Sequence, residues 1–129
     1  MATIYRDFPV DVSVEAAWAA VRDFGALDKV LARGFIVACE MDADLRTITF
    51  ANGMVVREQL VGIDEGARRL AYTIVDGQSS YHHASAQVFA DDQTCRFVWI
   101  TDVLPDSLAD PFAALMDQGV KAIKETLES

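Results

Sequence analysis

The sequence predicts an α+β fold: a curved, seven-stranded antiparallel sheet around a long C-terminal helix, with two short helices after strand 1. Three observations predict it. Pro105–Leu127 carries Leu108, Phe112, Leu115, Met116, Gly119, Val120, Ile123 and Leu127 at steps of three and four, with Asp117, Lys121, Lys124, Glu125 and Glu128 opposite. From Phe35 to Leu104 the apolar period is two, the period of half-buried strands. The breaks between those runs are short and built of turn residues, which makes successive strands antiparallel neighbours. A helix so apolar on one side needs a large concave partner. The strands are the candidate, with a ligand cavity left between sheet and helix.

Taken in order, Thr3–Val12 alternates and reads as the opening strand, and Pro9 suits an edge or a bulge. Ser13 is a good N-cap, Glu15 sits favourably in the first turn, and Val14, Ala17, Trp18 and Val21 give a short amphipathic helix that Gly25 ends. Trp18 reads as packing between that helix and the sheet. A second short helix is expected over Ala26–Ala32, with Leu27, Val30 and Leu31 inward and Gly34 closing it. Six strand runs follow: Phe35–Met41, Leu45–Ala51, Met54–Ile63, Arg69–Val75, Tyr81–Phe89 and Thr94–Leu104. The breaks hold Asp42-Ala43-Asp44, Asn52-Gly53, Asp64-Glu65-Gly66, Asp76-Gly77-Gln78-Ser79 and Asp91-Asp92-Gln93. Asp110 then Pro111 reads as an N-cap and first helical position for the last helix.

With 129 residues, one domain over 1–129 is expected. No apolar run approaches a membrane helix, so no stable membrane insertion is expected. The start lacks a basic stretch followed by an apolar one, so a cytoplasmic location is expected. A formal net charge of −9 argues against nucleic acid and against anionic membrane surfaces. Cys39 and Cys95 read as buried, reduced thiols. No phosphate loop, Ser-His-Asp arrangement or metal spacing is present, so neither metal nor cofactor is expected. Oligomeric state is not legible.

The hairpin around Asn52-Gly53 sets the candidate site. A two-residue turn would place Ile48 opposite Arg57 and Thr47 opposite Glu58, mixing both faces. A three-residue loop, Ala51-Asn52-Gly53 with Gly53 left-handed, places Phe50 opposite Met54, Ile48 opposite Val56 and Arg46 opposite Glu58. The second register sorts the faces cleanly and is preferred. Tyr72 and Ile74, then His82, Ala84, Ala86 and Val88, continue the inner face, and small residues at Ala84 and Ala86 leave room. The inner surface is then apolar with a few polar groups, as ligand cavities are. The candidate ligand-binding residues are Arg46, Ile48, Phe50, Val56, Glu58 and Tyr72 from the first strands. His82 and Ala84 follow them, with Phe112 and Met116 from the helix. His83 points to the other face, toward solvent. Met41, Met54 and Met116 read as core or cavity wall. Phe97, Trp99 and Val103 share one parity, Val98, Ile100 and Leu104 the other; both are apolar, so the inward face stays open.

The order of elements and several local matches resemble the START-related (SRPBCC) superfamily. Its members include birch-pollen-allergen-like proteins, plant abscisic-acid receptors and bacterial polyketide cyclase/dehydrase-like lipid-transfer proteins. The matches are Val14-Glu15-Ala16-Ala17-Trp18, Leu45-Arg46, Asn52-Gly53 and Arg57-Glu58-Gln59-Leu60. Asp64 through Arg69-Leu70-Ala71-Tyr72, then Trp99 and Pro105, complete the set. The resemblance implies a helix-grip fold and a cavity for a lipid, polyketide or other secondary metabolite. It also implies that positions matching Arg46, Glu58 and His82 line that cavity, gated by the hairpin Ala51–Met54 and the turn Gly77–Ser80. The shorter hairpin without a proline gate, and His82 in place of tyrosine, point away from the hormone receptors.

Three functions stay open on the sequence. One is a binding protein for a small hydrophobic molecule. The second is a polyketide cyclase or dehydratase with His82 and Glu58 as catalytic acid and base. The third is an interaction module, favoured only if the interior is packed without a hollow.

Overall fold

The alternating runs form one antiparallel sheet in a computed structural model that describes residues 2–129. Its strands are β1 (Ala2–Val10), β2 (Ile36–Asp42), β3 (Leu45–Phe50), β4 (Val55–Asp64), β5 (Arg69–Ile74), β6 (Tyr81–Asp91) and β7 (Thr94–Leu104). They lie in the order β1-β7-β6-β5-β4-β3-β2. The meander runs from β2 to β7, and β1 closes up beside the last strand. Bulges at Ile36/Ala38 and Leu60/Gly62 break the ladder locally, where extra twist bends a sheet. Pro9 sits on edge strand β1, where a missing N–H costs no ladder bond.

The hairpin register is the three-residue one. Arg46 pairs with Glu58 and Ile48 with Val56. The Phe50 N–H donates to the Met54 carbonyl at 2.8 Å, and Gly53 takes φ +90°, a left-handed conformation that glycine adopts without strain.

Helix α1 (Val14–Arg22) is capped by Ser13, whose Oγ accepts from the Ala16 N–H at 3.1 Å. It buries Val14, Ala17, Trp18 and Val21. Trp18 Nε1 donates to Glu65 Oε1 at 2.8 Å, and Arg22 reaches Glu65 Oε2 at 2.6 Å, tying the helix to the turn after β4. The expected second helix divides into a 3-10 turn at Phe24–Ala26 and a π-helical turn at Leu27–Leu31. It ends at Ala32, its C-cap, and not at Gly34 as expected; Gly34 takes φ +82° in the turn that follows.

The long helix α2 (Ala109–Glu128) starts earlier than predicted. A 3-10 turn at Asp106–Leu108 feeds it with continuous right-handed backbone, so Leu108 takes the N-cap place without a side-chain cap. Asp110 is therefore not the cap. It lies in the first turn, where a carboxylate still favours the helix dipole. Pro111 is tolerated there because the first N–H groups have no intrahelical partner. Met116, Gly119 and Ile123 are buried as predicted, and Ala122 and Thr126 join them. Thr126 is held inside because its Oγ1 accepts from the Arg33 N–H at 3.0 Å.

On β7 the inward set is Phe97, Trp99, Thr101 and Val103; Val98 and Ile100 face outward. Phe97 stacks on Phe8 with ring centroids 5.0 Å apart. Two expectations need correction. Met41 is 45% exposed, not core: it stands near the end of edge strand β2, where its side chain lies over Gly25. Cys39 is only partly buried, whereas Cys95 is fully so; both thiols are free. His83 falls on the outer face, half-buried. Among the described residues no helix is long and apolar enough to cross a membrane.

Candidate functional site

The inner face of the sheet carries a row that begins with Arg46 on β3, passes Glu58 on β4 and Ile74 on β5, and reaches His82 on β6. Arg46 and Glu58 are each 6% exposed. Glu58 Oε1 accepts from Arg46 Nε at 2.8 Å and lies 2.7 Å from Nη2. The guanidinium also donates to the Phe24 carbonyl at 3.1 Å and lies over the Phe24 ring, 3.8 Å from its centroid. Two buried charges are thus matched by each other, a carbonyl and an aromatic face, as buried ion pairs require. Glu58 Oε2 takes no hydrogen bond from any described residue.

Tyr72 stands beside this pair. Its hydroxyl accepts from Trp99 Nε1 at 3.0 Å. Burial, reinforced by the Glu58 charge, pushes its pKa upward, so it remains a phenol.

His82 is fixed by the backbone. Its Nδ1 accepts from the Ile74 N–H at 3.0 Å, so the neutral ring carries its hydrogen on Nε2. Burial first, and the nearby His83 second, lower its pKa to about 4. The ring is packed between Tyr72 and Phe112, with centroids 6.0 and 5.7 Å away. Glu58 and His82 do not touch. Ile74 separates them, and two strand spacings place their backbones about 10 Å apart.

Between this face and α2 lies a cavity of about 510 Å³. Glu58, Tyr72, His82, Trp99 and Thr101 supply its inner wall, and Leu108, Phe112, Leu115 and Met116 its helix side. Met54, Val55, Gly77 and Gln78 line it too and are exposed, so its mouth lies between the hairpin and the β5–β6 turn. A smaller hollow of about 90 Å³ lies deeper. Phe35, Phe50, Glu58, Tyr72 and Trp99 line both and form the partition.

Of the residues proposed from the sequence, Phe50, Val56, Glu58, Tyr72, His82, Phe112 and Met116 line the larger cavity. Arg46 and Ile48 line only the smaller one, because Glu58 and Phe50 stand in front of them. Ala84 lines neither: its methyl is fully buried in the core. Trp99, Thr101, Phe35, Leu108 and Leu115 were not proposed. Trp99 and Thr101 were hidden by the two-sided apolar pattern of β7. Leu108 and Leu115 were visible as inward helix positions, and their half-burial reflects the hollow they face. Among the described residues no group of three or more metal-binding side chains is present.

The family model for polyketide cyclase / dehydrase and lipid transport matches residues 1–129. The chain belongs to that family. It is thereby a member of the SRPBCC superfamily, and its sheet and long helix form a helix grip. No curated protein matches the chain. Among solved structures, an uncharacterised protein from Bacillus thuringiensis superposes with a TM-score of 0.87 at 17% identity, covering 99% of this chain and 100% of its own. A point mutant of norcoclaurine synthase from Thalictrum flavum, bound to a transition-state analogue, gives 0.71 at 17% identity, covering 98% and 93%. The di-domain ARO/CYC protein BexL of the BE-7585A biosynthetic pathway gives 0.81 at 14% identity, covering 99% of this chain and 47% of that one. At such identities these likenesses speak for the fold alone.

Proposed function

We propose that this family member binds a small hydrophobic molecule in the cavity between the curved sheet and α2. The carrying observation is the hollow of about 510 Å³, walled mainly by apolar side chains and reached by a few buried polar groups. Such a void leaves its lining without contact partners, and an apolar occupant restores them. The interaction-module reading presupposed an interior without a void.

The enzyme reading, a cyclase or dehydratase using His82 and Glu58, has less support. The Nδ1 lone pair is occupied, Nε2 bears a hydrogen, and Glu58, two strands away, is ion-paired to Arg46. The role left to His82 is that of a neutral hydrogen-bond donor.

Native mass spectrometry of freshly purified protein tests the proposal. A small-molecule adduct of fixed mass is expected, absent from a Leu115→Trp variant whose added bulk fills the cavity. No adduct, together with no thermal shift from any of a panel of apolar small molecules, overturns it.

A further inference from the structure

Resting on the small-molecule reading above, we infer that the cavity selects a neutral molecule bearing a hydroxyl or keto oxygen, held by Thr101, His82 and the free oxygen of Glu58, and that it rejects carboxylates.

Thr101 is the first observation. It is 2% exposed, lines the cavity, and its hydroxyl has no hydrogen-bond partner among the described residues. The side chain is buried but its oxygen is not sealed off, so a ligand oxygen in the cavity can pair with it. Its position is set by register. Thr101 pairs with Ala84, and His82, two residues before Ala84, pairs with Val103. Thr101 and His82 are therefore diagonal neighbours on the inner face, close enough to address one ligand group. The Nε2–H of His82 has no acceptor among the described residues either. Both groups can donate to a carbonyl or hydroxyl oxygen. At the opposite side of Ile74, Glu58 Oε2 offers an acceptor for a hydroxyl hydrogen.

Charge decides against acids. No lysine or arginine lines the larger cavity. Arg46 is spent on Glu58 and the Phe24 carbonyl behind the wall. The two charged lining residues are carboxylates, Glu58 and Asp76, the latter held by Arg57 at 2.9 Å. A ligand carboxylate would lose its water and find no free cation, because the arginines nearby are already paired with Glu58 and Asp76. A ligand cation would have no unspent carboxylate, because each already has its arginine.

The test uses one ring system with four substituents: 2-methylnaphthalene, 2-naphthol, 2-naphthoate and 2-(aminomethyl)naphthalene, each titrated at pH 7 into labelled protein and followed by backbone-amide NMR. 2-Naphthol should bind about three- to tenfold more tightly than 2-methylnaphthalene, the worth of one net hydrogen bond. 2-Naphthoate should bind more weakly than either. Thr101→Val keeps the shape and removes the hydroxyl. It should erase the advantage of 2-naphthol and leave 2-methylnaphthalene unchanged. If that variant does not fold, the wild-type series decides alone. Tightest binding by the carboxylate or the amine overturns the inference, as does equal binding of 2-naphthol and 2-methylnaphthalene. In these cases the cavity still binds, and the small-molecule reading survives. If none of the four binds, this inference fails, and the small-molecule reading is decided separately by the adduct and thermal-shift measurements described above.

Discussion

Gly119 of α2 lies directly against the Trp99 indole: a Cβ placed on Gly119 would fall 2.8 Å from Cζ3 and 2.9 Å from Cη2. Gly119→Ala should destabilise the fold by about 1–3 kcal/mol through overpacking, offset by about 1 kcal/mol of helix propensity. It should also displace Trp99 and loosen its hydrogen bond to Tyr72. Urea denaturation with tryptophan fluorescence checks both. Unchanged stability and an unchanged spectrum would mean that the helix yields and the ring stays.

Breaking the buried ion pair on one side should be worse than removing it whole. Glu58→Ala leaves the Arg46 charge buried without its counterion and should cost about 3–5 kcal/mol. The double change Arg46→Met with Glu58→Leu should recover most of that loss. Denaturation of both single variants and the double variant forms the cycle that tests this; additive losses would contradict it.

The imidazole of His82 should titrate near 4, as its burial dictates, and show the Nε2–H tautomer at pH 7. An unfolded histidine titrates near 6.5. Between those values the unfolded chain holds a proton that the folded one refuses. The contribution of His82 to stability is therefore complete above about 6.5 and is lost as pH falls toward about 4. Its slope is at most about 1.4 kcal/mol per pH unit. Nitrogen-detected NMR of the ring checks the assignment, and a midpoint above 6 would contradict it.

Both thiols should be slow to react. Burial raises the pKa of Cys95, and burial, opposed in part by the Arg46 charge, raises that of Cys39. A disulfide-exchange reagent at neutral pH should label Cys39 slowly and Cys95 more slowly still, and label both rapidly after unfolding. Fast labelling of Cys95 in the native protein would contradict its full burial.

Most of the fold was legible because side-chain parity is a strict constraint. Arg46 opposite Glu58, with Ile48 opposite Val56, followed from sorting one hairpin into two faces, and one register error would have scrambled every pair. Parity failed where both faces are apolar, so Trp99 and Thr101 on β7 could not be placed in advance. Sharing a face also proved weaker than adjacency. His82 and Glu58 do face the same side, but a whole strand stands between them. The bond from the Ile74 N–H to His82 Nδ1, which occupies that lone pair and fixes the tautomer, depends on a rotamer that sequence does not encode. The start of α2 was misread at Asp110 because a 3-10 turn already delivers helical backbone to Ala109.

The sheet never closes into a barrel, and this has a consequence for the molecule in solution. An open sheet ends in two rims of unspent peptide groups, each a template for a stray strand. On one rim Pro9 withholds a donor; on the other the irregularity at Ile36/Ala38 spoils the regular spacing that a newcomer would need. Guarding the rims locally leaves the interior free of that duty, so the concave side can stay hollow without inviting the chain to polymerise edge to edge.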